Sequence, residues 1–207
     1  MKSILAIKTS IAGDLGASSQ LVDHYVAKWL ITNPDGRVLR RDLTALRLPH
    51  LSATFTSALS TAASDRSHEM QELVTQSDEL INELRDVSEV VVGIPMYNFN
   101  IPSVLQSYFD NVARAGVTFR YSPEGPIGLL PNKRTVLIHT RGGQHLGTAR
   151  DIPTAHVQTF LSFLGIQDSV SVYAEGLARS ETSRSRALDE AKRHLDALTK
   201  PTFADAA

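Results

Sequence analysis

The sequence predicts one α/β domain, with five parallel strands in an open sheet and helices on both faces. Short apolar runs alternate with amphipathic helical segments along the chain. The clearest run, Glu89–Ile94, is continuously apolar after its first residue and mostly β-branched, as in parallel strands buried on both faces. The 207 residues, 42% of them apolar, show no linker or internal repeat, so we expect a single domain over residues 1–207.

The first predicted strand, Lys2–Thr9, ends in a loop with two glycines. A helix should follow with Ser18 or Ser19 as its N-cap, and the stop signal that begins at Asn33 should end it. Arg37–Leu43 is the second strand, and its two central arginines suit an edge position.

The middle of the chain holds one irregular segment and three regular elements. Thr44–Ser67 is rich in Ala, Ser and Thr, and we expect a partly helical excursion there. His68–Asp86 has the apolar spacing of an amphipathic helix. After the Glu89–Ile94 strand, Pro102 suits the first turn of a helix that runs through Arg114.

A second excursion, Ala115–Lys133, holds several glycines and prolines and is too irregular for one element. The remaining elements alternate as strand, helix, strand and helix, covering Arg134–His139, Thr154–Leu164, Asp168–Glu175 and about Ser180–Thr199. We expect the tail after Pro201 to be frayed.

Composition excludes several function classes. Twenty-one basic against 22 acidic residues give a net charge of −1, which offers no electrostatic footprint for nucleic acid. Without cysteine there is no disulfide, thiolate metal site or cysteine nucleophile, so redox chemistry would need a bound organic cofactor. The histidines lack paired metal-ligand spacing; apart from His145 we expect them to be solvated or capping, and we predict no metal site. No apolar run is long enough for a bilayer or a signal peptide, which predicts a soluble cytoplasmic protein.

A doubly wound sheet of flavodoxin-like order 2-1-3-4-5 binds ligands beyond the carboxyl ends of its strands. That rule selects the loops Ser10–Ser19, Pro95–Asn100 and Thr140–His145. The first combines Gly and Ser with a helix N-terminus and suits a phosphate, the second offers aromatic and amide side chains, and the third has paired glycines. Each loop alone has a plain alternative, namely helix capping, core anchoring or a simple turn. Together they favour a flat phosphorylated ring such as flavin mononucleotide (FMN).

The stretches Pro95–Pro102, Tyr108–Asp110 and Ala113–Tyr121 strongly resemble the FMN-dependent NADH-azoreductases, which belong to the NAD(P)H quinone oxidoreductase-like flavoproteins. The resemblance implies a homodimer with flavin sites at the subunit interface. It also implies NADH or NADPH as electron donor, and quinones and azo dyes as acceptors.

The resemblance also implies which residues form the site. The phosphate would be held by Ser10, Gly16, Ala17 and Ser18, and the flavin ring would be lined by Met96, Tyr97, Asn98, Phe99, Thr140, Arg141, Gly142 and Gly143, with His145 near its pyrimidine edge. No side chain is an obligatory acid or base, and Asn98, Gly142, Gly143 and His145 would support the chemistry. The substrate pocket would comprise Phe99, Phe119, Tyr121 and Phe163, some of them reaching across the dimer, although core packing is an alternative for these aromatics.

The leading hypothesis for the reaction is a ping-pong mechanism, in which the nicotinamide and then the acceptor use one site. A single-electron carrier for protein partners is an alternative, as is a binding module that has lost the flavin. Arg120 and Arg141 are candidates for contact with a nicotinamide 2′-phosphate, against the simpler alternative of surface solvation.

Overall fold

The computed structural model of the chain describes residues 1–200. Its strands are β1 (Ser3–Lys8), β2 (Arg37–Asp42), β3 (Glu89–Pro95), β4 (Phe119–Ser122), β5 (Gly125–Gly128), β6 (Arg134–Thr140) and β7 (Asp168–Ala174). Five of these pair in parallel in the order β2-β1-β3-β6-β7, which is 2-1-3-4-5 when only the parallel strands are counted. The predicted fold class and strand order are confirmed. The expected fraying after Pro201 lies outside the described residues.

Helices cover both faces of the sheet: α1 (Ala17–Thr32), α2 (Leu43–Leu46), α3 (Ala53–Ser60), α4 (His68–Asp86), α5 (Ser103–Val112), α6 (Ile152–Phe163) and α7 (Glu181–Leu198). Because side chains alternate along a strand, Ile4 and Ala6 of β1 pack with α1 and α7, while Leu5 and Ile7 pack with α4, α5 and α6. The two faces of the sheet therefore support two separate apolar cores. None of the helices within residues 1–200 has the length and apolar character needed to cross a membrane.

A buried carboxylate lies at the amino end of β3. Glu89 is 8% exposed, and its Oε1 accepts a hydrogen bond from the Tyr25 hydroxyl. Its Oε2 accepts one from Trp29 Nε1 at 3.1 Å. Burial and the neighbouring Glu89 raise the pKa of Tyr25. This network joins the end of α1 to the start of the central strand, at the end of the sheet opposite the predicted loops.

The start of α1 differs from the sequence prediction. Gly16 is the N-cap, and Ser18 and Ser19 lie inside the first turn, where neither side chain caps the helix. Both serines are 1% exposed, and their Oγ atoms have no hydrogen-bond partner within residues 1–200. The prediction of a serine cap is therefore wrong, because the backbone enters the helix two residues earlier than the hydroxyl pattern indicates.

Both excursions contain regular structure. The first is partly helical as predicted, since it includes α3 and most of α2. The second forms an antiparallel hairpin of β4 and β5, which the sequence analysis missed. The hairpin packs against the turn after α6 so closely that a Cβ on Gly128 would lie 2.0 Å from the backbone nitrogen of Gly165.

Candidate functional site

The three predicted loops meet at the carboxyl ends of β1, β3 and β6. Tyr97 connects the first two, since its Oη accepts a hydrogen bond from the Ile11 amide at 3.2 Å and lies 3.4 Å from Ser10 Oγ. Met96 connects the second to the third, because its amide donates to the Thr140 carbonyl at 2.9 Å. The structure therefore brings the cofactor-binding residues predicted from the three loops to one edge of the sheet.

The first loop presents hydrogen-bond donors that have no acceptor among residues 1–200. The amides of Ala17, Ser18 and Ser19 precede the first intrahelical bond of α1, so the helix itself leaves them free. Ser18 Oγ is buried in the same turn and has no hydrogen-bond partner in residues 1–200. Unpaired donors at a helix N-terminus attract an anion. The loop therefore has the donor set that a phosphate group requires.

The shape of this loop depends on the glycine cap. A Cβ on Gly16 would lie 2.1 Å from Ser10 Oγ, so the backbone and the Ser10 side chain fill this space together. Lys8 fixes the loop from the strand end, with its Nζ 2.7 Å from carboxylate oxygens of both Asp14 and Asp23. Burial alone would lower the pKa of Lys8, but these hydrogen bonds raise it above its usual value.

The second loop is a two-residue reverse turn with left-handed backbone. Asn98 and Phe99 have φ values of 51° and 63°, and Tyr97 and Asn100 exchange amide-to-carbonyl hydrogen bonds of 3.0 and 2.9 Å. A bulky residue such as Phe rarely adopts this conformation. Strain of this kind concentrates at functional sites. Here it leaves the Phe99 ring half exposed at the open edge.

In the third loop, the histidine packs against the glycines. A Cβ on Gly143 would lie 2.7 Å from His145 Nε2, so a side chain there would displace the imidazole. The His145 ring meets Phe99 edge-on, with centroids 5.8 Å apart. Within residues 1–200 the amides of Gly142 and Gly143 have no hydrogen-bond acceptor. Two free backbone donors, an imidazole and an aromatic ring thus border one open surface.

The side chain of Arg141 points away from that surface. It is buried, and its Nη2 contacts Asp151 Oδ1 at 2.5 Å and Thr154 Oγ1 at 2.8 Å, while Nη1 donates to Glu175 Oε1 at 3.0 Å. Both the 2′-phosphate role and the solvated alternative are wrong for this side chain, because two carboxylates hold it inside the protein. No role is predicted for Glu175 from the sequence, where it is the last residue of the expected strand Asp168–Glu175.

His139 is a second correction. It lies fully buried on β6, stacked on Tyr173 with centroids 4.9 Å apart, and its Nδ1 has no hydrogen-bond partner among the described residues. Burial and the nearby Arg141 lower the pKa of His139 to about 3. The expected solvated or capping role is wrong here, because helices cover both faces of the sheet and the residues of β6 after Arg134 are all buried.

Three of the four predicted pocket aromatics lie away from the loops of their own chain. Phe119 of β4 packs on Phe163 at 4.3 Å and meets Tyr121 at 5.4 Å between centroids. Phe163 ends α6 just before β7, whose first residue pairs with Arg134 at the amino end of β6. The 12 residues of α6 span about 18 Å between the two ends of the sheet. A single chain therefore does not bring these aromatics to Phe99.

Within residues 1–200, no three His, Asp or Glu side chains cluster so as to hold a metal ion.

Comparisons with known proteins agree with this geometry. A family model described as flavodoxin-like fold matches residues 2–198. A relative from Cellvibrio japonicus, named FMN-dependent NADH:quinone oxidoreductase, is 42% identical over 196 residues, covering 95% of this chain and 98% of the relative. A relative of the same name from Burkholderia pseudomallei is 42% identical over 198 residues, covering 96% of this chain and all of the relative. The chain belongs to this flavodoxin-like family.

Two solved structures match this fold over nearly the whole chain. An azoreductase from Bacillus anthracis superposes with a TM-score of 0.88 at 25% identity, covering 96% of this chain and 99% of that one. An FMN-dependent NADH-azoreductase from the same species, solved in complex with FMN, has a TM-score of 0.84 at 23% identity, covering 97% of this chain and all of that one. At 23% identity, the similarity to the FMN complex supports the fold alone. The resemblance predicted from residues 95–121 is confirmed.

Proposed function

We propose that the chain is an FMN-dependent oxidoreductase that takes electrons from NADH or NADPH and reduces quinones and aromatic azo compounds. Support comes from relatives named FMN-dependent NADH:quinone oxidoreductase at 42% identity and from the azoreductase structure of the same fold. The observation that carries the proposal in this chain is the buried Ser18 hydroxyl, which has no partner within residues 1–200 and lies beside the free amides of α1.

The residues at the site fit FMN. Ser18 Oγ and the first amides of α1 would hold the phosphate, with Gly16 and Ser10 shaping the space around it. The flavin ring would lie against Met96–Phe99 and Thr140–Gly143. Ile11, Leu15, Phe99 and Leu146 are apolar and exposed around the same edge, which suits a planar aromatic ligand.

Bound FMN supplies the group that accepts two electrons as a hydride from a nicotinamide and passes them to an acceptor. The chain contributes orientation and electrostatics. The amides of Gly142 and Gly143 are free donors that would stabilise negative charge, and His145 adds an imidazole beside them. Asn98 presents an amide side chain from a turn with fixed geometry. No obligatory acid or base side chain is required.

The donor and the acceptor would occupy the same open surface in turn, which is a ping-pong mechanism. The proposal includes a homodimer with its flavin sites at the interface, because Phe119, Tyr121 and Phe163 can complete a substrate pocket only from a partner chain. A cytoplasmic location also belongs to the proposal, since the nicotinamide donors are metabolites of that compartment.

Anaerobic mixing of the FMN-loaded protein with NADH tests the proposal. Rapid bleaching of the flavin, followed by reoxidation on adding a quinone or an azo dye, is the expected result. A yellow protein that NADH does not bleach would favour the single-electron carrier. A colourless protein that cannot be reconstituted with FMN would exclude both.

A further inference from the structure

Glu175, the first residue after β7, makes an unusual set of contacts beneath the third loop. Its Oε1 accepts hydrogen bonds from the His145 amide at 2.9 Å, the Leu146 amide at 3.0 Å and Arg141 Nη1 at 3.0 Å. Its side chain is only 16% exposed. One carboxylate oxygen therefore joins the far end of the glycine loop to the buried arginine at its start.

The loop has few other attachments to β7. The carbonyls of Gly142 and Gly143 accept from the Ala178 and Gly176 amides at 3.0 and 2.8 Å, which fixes the glycine backbone from one side. Nothing else within residues 1–200 accepts from the amides of His145 and Leu146. Without Glu175 these two amides would lose their acceptor within residues 1–200, while the glycines would keep their own hydrogen bonds.

Arg141 holds the carboxylate in place. Its guanidinium bridges Glu175 to Asp151 and Thr154 at the start of α6, and it lies 5.1 Å from the centroid of the Tyr173 ring. Burial alone would raise the pKa of Asp151, but hydrogen bonds from Thr154 and Arg141 hold that pKa below its usual value. The position of Glu175 is thus fixed by a charged cluster that itself does not reach the open surface.

We propose that Glu175 is the positioning residue of the site: its Oε1 sets the backbone at His145 and Leu146, and through it the imidazole that borders the cofactor surface. Glu175 acts through the loop and does not itself contact the ligand. This inference rests on the proposed FMN function and adds to it the residue that sets how well the loop stabilises the reduced cofactor.

Two conservative variants distinguish the position of the Glu175 side-chain oxygen from its charge. Glu175→Asp keeps the charge but withdraws the oxygen by one methylene from the two amides. Glu175→Gln keeps the oxygen in place and loses the charge; its NH₂ can take the position of Oε2, which has no hydrogen-bond partner within residues 1–200. Asp151→Asn is the matched control, because it removes a charge from the same arginine without touching the loop.

The measurements are the FMN dissociation constant, the midpoint potential of bound FMN, and hydrogen exchange of the His145 and Leu146 amides in the FMN-free protein. For Glu175→Asp we expect FMN binding about tenfold weaker, a more negative potential and faster exchange at both amides, because the two amides lose the oxygen that accepts from them. Glu175→Gln and Asp151→Asn should bind FMN within about threefold of the unmodified chain, with slow exchange retained.

The opposite order, with the Asp variant unchanged and the Gln variant impaired, would show that charge acts instead of position and would overturn the inference. Equal FMN dissociation constants for all variants would overturn the inference as well. They would leave the proposed function intact if the unmodified chain binds FMN and oxidises NADH. An unmodified chain that binds no FMN would contradict both proposals.

Discussion

At the scale of single residues, Ser18 combines two properties that rarely coexist. Its hydroxyl is buried and has no hydrogen-bond partner in the described part of the chain, a state that costs roughly 1–3 kcal/mol of folding free energy. Ser19 is equally buried and also lacks a partner within residues 1–200. Only Ser18 belongs to the predicted phosphate site, so the two neighbours form a natural pair for comparison.

We predict that Ser18→Ala weakens FMN binding about tenfold or more, because a hydroxyl bond to a charged group is lost. The free energy of unfolding of the FMN-free protein should stay constant or rise, since the substitution removes an orphaned polar atom. Fluorescence titration with FMN and urea denaturation measure the two effects. Ser19→Ala is the control and should change the stability similarly while leaving FMN affinity intact.

Ser18→Asp should abolish FMN binding, because it places a carboxylate where the phosphate is proposed to lie. Unchanged affinity in either Ser18 variant would remove the phosphate from the start of α1.

His139 should make stability depend on pH. In the folded protein its pKa is about 3, whereas an unfolded histidine titrates near 6.5. As the pH falls through 6.5 the unfolded chain takes up a proton that the folded chain does not. The free energy of unfolding therefore decreases toward acid, by up to about 1.4 kcal/mol per pH unit.

Urea denaturation between pH 7 and pH 4.5 tests this effect. His139→Phe keeps a ring to stack on Tyr173 and removes the titrating group, so its stability should fall less steeply with acid than that of the unmodified chain. Parallel curves for the two proteins would contradict the assignment.

At the scale of elements, the sheet strands and the long helices could be predicted because burial leaves a direct sequence pattern. The all-buried β3 is a continuous apolar run, and α4 begins and ends at the predicted residues. The hairpin of β4 and β5 has no such pattern, since its second strand reads Gly-Pro-Ile-Gly and depends on packing against a distant turn. Local sequence does not encode that contact.

The candidate site likewise has parts that could be predicted and parts that could not. The three loops could be predicted, because the strand order and the place of each loop directly after a strand identify them. The roles of Arg141 and Glu175 could not, because their pairing spans 34 positions of sequence and depends on β6 and β7 being neighbours. A charged residue in a loop is normally solvated, and only the sheet register shows that Arg141 is enclosed.

The hairpin gives a prediction at this scale. Gly128→Ala places a Cβ 2.0 Å from a backbone nitrogen, so the hairpin must move away from the turn after α6. We expect the free energy of unfolding to fall by about 2 kcal/mol, as in other overpacked sites. Ile127→Ala, at the exposed neighbouring position, is the control and should change it by less than about 0.5 kcal/mol. Equal stability of the two variants would show that this contact does not hold the hairpin.

At the scale of the whole molecule, the proposed cofactor loops and the aromatic cluster of Phe119, Tyr121 and Phe163 lie at opposite ends of one sheet. A role for the cluster in turnover therefore requires a second chain. Tyr121 is the informative residue because it is 74% exposed and contributes little to the fold of its own chain.

Tyr121→Ala should leave the free energy of unfolding within about 0.5 kcal/mol of the unmodified protein and should raise the KM for a quinone several-fold. Steady-state kinetics and analytical ultracentrifugation measure the effect and the expected dimer. Ile31→Ala changes an equally exposed apolar residue on α1 and should alter neither the KM nor the dimer. An unchanged KM in the Tyr121 variant would remove this residue from the substrate pocket.

The hydrogen bond between Trp29 and Glu89 has a practical consequence. Trp29 is the chain's single tryptophan, and it is enclosed at the amino end of the sheet. Its emission is therefore an intrinsic optical signal from the end opposite the proposed flavin. Global unfolding will expose it to water and shift its spectrum, whereas any quenching on adding FMN must act over a distance. One fluorophore can thus separate loss of structure from cofactor occupancy without an added label.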